Sequence, residues 1–201
     1  MLSRLIAAVV VSLLLAGNAR PQVTPTRVYY GVDRPVPVEV TRPAGAAGDL
    51  SIALLTADNA EVARAACEAG PVDLASLFED FWSDEVTRTT VRYAQLFAGD
   101  KAVGPGLVLQ PLLTPEQAYL APRQELRWRS GQRVVSGIRA YADQHAVMET
   151  SEGSVTFRMR PDMAPNTVWN FLTLADGGYY TDVIFHRIIG ERPGRAPFVA
   201  Q

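Results

Sequence analysis

Cysteine is all but missing from this chain, histidine is scarce, and neither sign of charge prevails. Cys67 is the single cysteine in 201 residues, so no disulfide can close within the chain. A catalytic thiol would need a neighbouring base, and only His145 and His186 are available. Cys67 is therefore expected to be a small buried structural residue. Nineteen Lys and Arg face 21 Asp and Glu, a net charge of -2, which supplies no electrostatic attraction to nucleic acid. No uncharged apolar run reaches the roughly 20 residues of a membrane-spanning helix. Internal repeats, phosphate-binding glycine loops and clusters of metal ligands are also missing, and no cofactor is implied.

The longest apolar run lies at the start. Residues 5–16 (Leu-Ile-Ala-Ala-Val-Val-Val-Ser-Leu-Leu-Leu-Ala) follow Arg4 and precede Gly17-Asn18-Ala19. A basic start, about a dozen apolar residues and a small-x-small exit form the pattern of a secretory signal peptide, residues 1–19, cleaved after Ala19. An uncleaved signal acting as a membrane anchor is the alternative. Asn18 stands where a lipoprotein signal would carry cysteine, which argues against lipid attachment. The mature chain is expected to be periplasmic or extracellular, without stable membrane insertion.

Fourteen prolines and 15 glycines divide the rest into short segments. Val36, Val38 and Val40 alternate with Pro37, Glu39 and Thr41, and the proline suits an edge strand. Leu50 to Leu55 reads as a buried strand. Val91, Tyr93, Gln95 and Phe97 share one face of another, and Leu107–Leu109 and Gln132–Val135 supply further candidates. Residues 61–69 have helix-forming composition but could be a strand. Leu74, Leu77, Phe78 and Phe81 have helical spacing. The spacing of these segments predicts a β-rich, sandwich-like domain of unknown role over residues 27–141. Trp82, Trp128 and the tyrosines read as core or edge packing, and the run Arg123-Gln-Glu-Leu-Arg-Trp-Arg129 as a solvated amphipathic edge.

From residue 144 the pattern sharpens. Val147 to Thr150, the turn Ser151-Glu152-Gly153 and Val155 to Met159 predict a hairpin with Val155, Phe157 and Met159 on one face. Pro165 suits a first helical position, and Val168, Phe171, Leu172 and Ala175 form an apolar stripe behind it. Gly177-Gly178 ends that helix, with Gly177 suited to the left-handed cap. Val183 to Ile189 reads as a strand with Phe185 and Arg187 on one face and His186 on the other.

Glu149-Thr-Ser-Glu-Gly-Ser-Val155, Pro161-Asp-Met-Ala-Pro-Asn-Thr-Val-Trp-Asn-Phe171, Gly178-Tyr-Tyr180, Ile184-Phe-His-Arg-Ile-Ile189 and Phe198-Val-Ala-Gln201 together resemble the cyclophilin-type peptidyl-prolyl cis-trans isomerases. The resemblance covers the first third of that family's domain. It implies a partial cyclophilin-like domain over residues 144–201, an incomplete antiparallel β-barrel with one helix. It also implies that Arg187 is the catalytic residue, and that Phe198, Val199 and Gln201 bind proline-containing polypeptide substrates. Two departures stand out. Residues 190–197 (Gly-Glu-Arg-Pro-Gly-Arg-Ala-Pro) form an insertion, and Val199 replaces the usual methionine. The expected whole is a mostly β protein, an exported isomerase truncated here. The alternative is a non-catalytic β-rich surface or peptide-binding module carrying a cyclophilin remnant. The sequence leaves the oligomeric state open.

Overall fold

A computed structural model describes residues 8–10, 21–115, 117–129, 131, 134–185, 188–189 and 199–200. The chain is mostly β, and its strand pairs are antiparallel. It divides into two compact units, residues 19–143 with 161–165, and residues 1–18 with 144–160 and 166–201.

In the unit containing residues 19–143, one sheet runs in the order β3 (Tyr29–Gly31), β13 (Val135–Ala142), β10 (Leu107–Leu113), β8 (Arg92–Ala98), β5 (Leu50–Leu55) and β6 (Glu61–Ala66). The short β9 (Lys101–Ala102) pairs with β8. A second sheet places β4 (Pro37–Val40) between β2 (Val23–Pro25) and β7 (Gly70–Asp73). Both sheets contribute to one apolar cluster, with Val23, Val38 and Val40 from the smaller sheet and Ile52, Leu96, Leu107 and Ile138 from the larger. This is the sandwich-like core that period-two patterning leads one to expect.

Several local expectations change. Pro37 is not on an edge strand, because β4 has a neighbour on each side. It is tolerated as the first residue of its strand, where no ladder N–H is required of it. Its carbonyl accepts from Thr26 N (3.2 Å) and the Tyr30 hydroxyl (2.9 Å), which ties down the turn before β4. In β8 the buried residues are Arg92, Ala94, Leu96 and Ala98, while Tyr93, Gln95 and Phe97 on the other face are half-buried. Residues 61–66 settle as a strand. The helix expected over residues 74–81 lasts one turn, α1 (Leu74–Leu77), capped by Asp73, whose Oδ1 accepts from Ala75 N at 3.1 Å and from Val36 N at 2.6 Å. Phe78 and Phe81 are nevertheless buried, because the following turns fold them onto the same core. A second short helix, α2, spans Glu85–Thr89. The proposed strand Gln132–Val135 is found only from Val135 onward; Gln132 and Arg133 lie outside the described residues.

β11 (Gln117–Leu120) and β12 (Leu126–Arg129) form a hairpin sheet of their own. Trp128 sits there with 62 % of its surface exposed, so the expectation of a packed tryptophan fails at this position. Trp82 meets it: the ring packs against the core and Nε1 donates to Arg34 O at 2.8 Å.

In the unit containing residues 144–160, β14 (His145–Thr150) and β15 (Gly153–Arg158) form the expected hairpin, with Thr150 opposite Gly153. β1 (Ala8–Val10) pairs with β14 on one side and β16 (Val183–Ile184) on the other, giving an open four-stranded sheet. The helix α3 spans Pro165–Asp176 and buries Val168, Leu172 and Ala175. Among the described residues no helix is long and apolar enough to cross a membrane.

Candidate functional site

The cap of α3 sets the direction of the chain toward the candidate site. Gly178 N donates to Ala175 O (3.0 Å) and Tyr179 N to Leu174 O (2.9 Å), the paired bonds of a glycine-terminated helix. The left-handed residue is Gly178, at φ 75°, and not Gly177 as the sequence suggested. The shift of one residue follows from the last turn continuing through Gly177, whose N–H still bonds Thr173 O at 3.0 Å. Beyond the cap, Tyr180 stacks on Phe171 with ring centroids 5.2 Å apart. Met148, Tyr180 and Phe185 pack around the buried Ala175. Phe185, which begins the segment Phe185-His186-Arg187, is thereby packed with Met148 and Tyr180 against the helix residue Ala175.

The strand expected over residues 183–189 is seen as β16 and, further on, β17 (Ile188–Ile189). β17 pairs with β18 (Val199–Ala200) in the register Ile188 to Ala200 and Ile189 to Val199. The pairing joins the two stretches of chain that the resemblance singles out. Of the predicted site residues, Val199 is placed on β18 by its backbone. Arg187, Phe198 and Gln201 lie outside the described residues, as do His186 and residues 190–197.

The other candidate chemistries weaken on geometry. Cys67 packs half-buried against the core, and burial pushes its thiol above the ordinary value, against the opposing pull of Arg42. A thiol held protonated at neutral pH is a poor nucleophile. His145 is exposed on β14, opposite Arg158. A cleft of about 350 Å³ lined by Leu54, Ala63, Phe78, Asp80 and Phe81 belongs to the unit of residues 19–143, away in sequence from every predicted site residue. The solvated amphipathic edge expected at residues 123–129 is found on β12, and the hairpin partner β11 extends its apolar face through Ala118 and Leu120 opposite Trp128 and Leu126.

Comparison with known proteins bears on the ordered pattern from Glu149 to Ile189. Residues 145–193 match the model of the family described as cyclophilin type peptidyl-prolyl cis-trans isomerase/CLD. That stretch is similar to the cyclophilin type over about a quarter of the chain. A Staphylococcus saprophyticus protein named as a peptidyl-prolyl cis-trans isomerase is 51% identical over 45 residues, 22% of this chain and 23% of that protein. A Staphylococcus aureus protein of the same name is 49% identical over 45 residues. The peptidyl-prolyl cis-trans isomerase-like 2 of Neurospora crassa is 38% identical over 78 residues, 39% of this chain and 11% of that protein. The chain thus spans less than a quarter of the length of the Staphylococcus relatives. No solved structure matches it. The matched stretch includes Arg187, and Phe198, Val199 and Gln201 fall just beyond it.

Proposed function

We propose that the protein is a cyclophilin-type peptidyl-prolyl cis-trans isomerase that assists the folding of exported proteins. The observation that carries this is the family match over residues 145–193, which includes Phe185-His186-Arg187 in the order described above.

The chemistry asks for little. Amide resonance places a barrier of about 18–20 kcal/mol on rotation of the peptide bond. Uncatalysed X–Pro isomerisation takes on the order of 10–100 s at 25 °C. A catalyst must seat the proline ring in an apolar pocket and present a fixed donor that favours the twisted amide over the planar one. The Arg187 guanidinium, permanently charged with several rigid N–H groups, suits that donor role. It acts on the transition state because the amide nitrogen becomes a better acceptor as resonance is lost. By resemblance Phe198 and Val199 wall the pocket and Gln201 holds the substrate backbone. Val199 is shorter than the usual methionine, which by the same resemblance shortens one wall of the pocket. No bond is made or broken, so neither a nucleophile nor a cofactor enters the reaction.

The experiment measures isomerisation of a proline tetrapeptide by the 201-residue chain. In parallel it uses a chimera in which this chain continues into the remaining part of a Staphylococcus relative's domain. The chimera is expected to accelerate isomerisation. Arg187→Ala in the chimera is expected to lower the rate by about 100-fold or more, the scale of losing one preorganised donor. Arg187→Lys should recover little, since an ammonium lacks the planar fork. A folded chimera that stays at the uncatalysed rate overturns the proposal in favour of a non-catalytic module. Export rests on residues 1–19; cleavage after Ala19 would remove β1 from its place between β14 and β16, and amino-terminal sequencing of the secreted protein should begin at Arg20.

A further inference from the structure

The β11–β12 hairpin separates its side chains by chemistry. Gln117 opposes Arg129, Ala118 opposes Trp128, Tyr119 opposes Arg127 and Leu120 opposes Leu126. Opposed residues share a face, and faces alternate along a strand. Ala118, Leu120, Leu126 and Trp128 therefore make one wholly apolar face. Gln117, Tyr119, Arg127 and Arg129 make the other, with the Arg129 guanidinium 5.4 Å from the Tyr119 ring centre and Arg127 paired to Glu125 at 3.0 Å. The apolar face is uncovered: Leu120, Leu126 and Trp128 expose 71 %, 61 % and 62 % of their surface. Scattered apolar side chains on a surface need no explanation, but three large ones gathered on one face of one hairpin mark a contact site. A lone two-stranded hairpin is also only marginally stable in water, so a surface that covers this face stabilises it.

Charge identifies the occupant. Residues 117–129 carry Arg123, Arg127 and Arg129 against Glu125 alone, a local excess of positive charge on a chain whose net charge is -2. We propose that this hairpin docks the protein on an anionic lipid surface. Leu120, Leu126 and Trp128 enter the boundary between headgroups and acyl chains. The long stems of the arginines let their guanidinium groups stay at the level of the phosphates. The arrangement is the hairpin counterpart of an interfacial amphipathic helix, and it spans nothing. A second copy is a poorer occupant, because four residues a side fall far short of the roughly 20–30 of a stable interface. Unfolded client polypeptides share no common sign of charge, whereas an anionic bilayer does, so the arginines favour the bilayer. The proposal is independent of the isomerase activity.

The test uses the full chain with vesicles of brominated phosphatidylcholine, either alone or with one quarter phosphatidylglycerol, and follows tryptophan quenching. Trp128 should be quenched in the anionic vesicles and much less in the neutral ones. The quenched component should vanish in Trp128→Phe. Leu120→Asp with Leu126→Asp should weaken it at least about tenfold. Both sites are exposed, so the thermal unfolding of that variant should match the parent. Quenching that persists in Trp128→Phe places the contact elsewhere in the chain and overturns the proposal. So does equal quenching in neutral vesicles, or no quenching at all. Self-association, or binding of an unfolded polypeptide, that is lost in the aspartate variant while vesicles leave Trp128 unquenched also overturns it.

Discussion

Two strands with the same alternation meet opposite fates. In β4, Val38 and Val40 are 0 % and 2 % exposed; in β15, Val155 and Phe157 are 47 % and 38 % exposed. Each strand reads apolar at every second position, and each pairs with an antiparallel neighbour. The difference lies in the layer opposite. The side chains of β4 meet those of a second sheet across one shared core, whereas every residue of β15 is open. Alternation therefore shows that two faces differ, and burial requires a second layer to cover one of them.

Substitutions sharpen this contrast, and the largest effect is expected in the sandwich. Gly137, at φ +148°, lies where β13 meets β3, and a Cβ there would stand 2.0 Å from the Tyr30 carbonyl oxygen. Gly137→Ala should destabilise the sandwich by about 3 kcal/mol or more, because backbone, and not a flexible side chain, must yield. Denaturant unfolding measures it, and a variant as stable as the parent would show that the two strands do not meet here. Ile52→Ala should cost about 2–5 kcal/mol, as the residue is fully buried among both sheets. Phe157→Ala on β15 should cost about 1 kcal/mol or less, the scale of an exposed position. If Phe157→Ala proves as damaging as Ile52→Ala, a covering layer exists over β15 and the contrast fails.

The smallest effect is electrostatic. Arg64 bonds Glu61 at 2.6 Å on the edge strand β6 and holds that carboxyl below its ordinary value of 4.5. A lowered carboxyl contributes stability above its unfolded value and loses it as pH falls through the folded one. Exposure keeps the contribution small. Glu61→Gln should leave the melting temperature at pH 7 nearly unchanged and remove a slight pH dependence below about 4.5; a large shift at pH 7 would mean that the pair is shielded from water.

Parts of this molecule are legible residue by residue. Of the stripe Val168, Phe171, Leu172 and Ala175 all but the half-buried Phe171 are buried, because a helix of three turns has one inward side. The hairpin turn at Ser151-Glu152 is equally local: the Thr150 hydroxyl bonds Gly153 O at 2.8 Å and accepts from Glu152 N at 3.1 Å. The short α1 was less legible, because Leu74, Leu77, Phe78 and Phe81 reach the core through a helical turn followed by further turns. The candidate site was legible as an ordered family pattern, while its surroundings were not. Nothing within the Tyr179-Tyr180 dipeptide shows that Tyr180 stacks on Phe171 and borders Ala175 beside Phe185.

By itself the sequence determined the mostly β class, the position of the helix α3 and the stretch that is similar to the cyclophilin-type family. Each rests on interactions between residues close along the chain or on a pattern that survives without coordinates. Tertiary structure decided which face of β8 is buried, that Pro37 begins a central strand, and that Trp128 stands in water with Leu120 and Leu126. Those outcomes depend on which element lies across from each residue. Periodicity divides a strand into two faces, and only the neighbouring layer decides which of them water can reach.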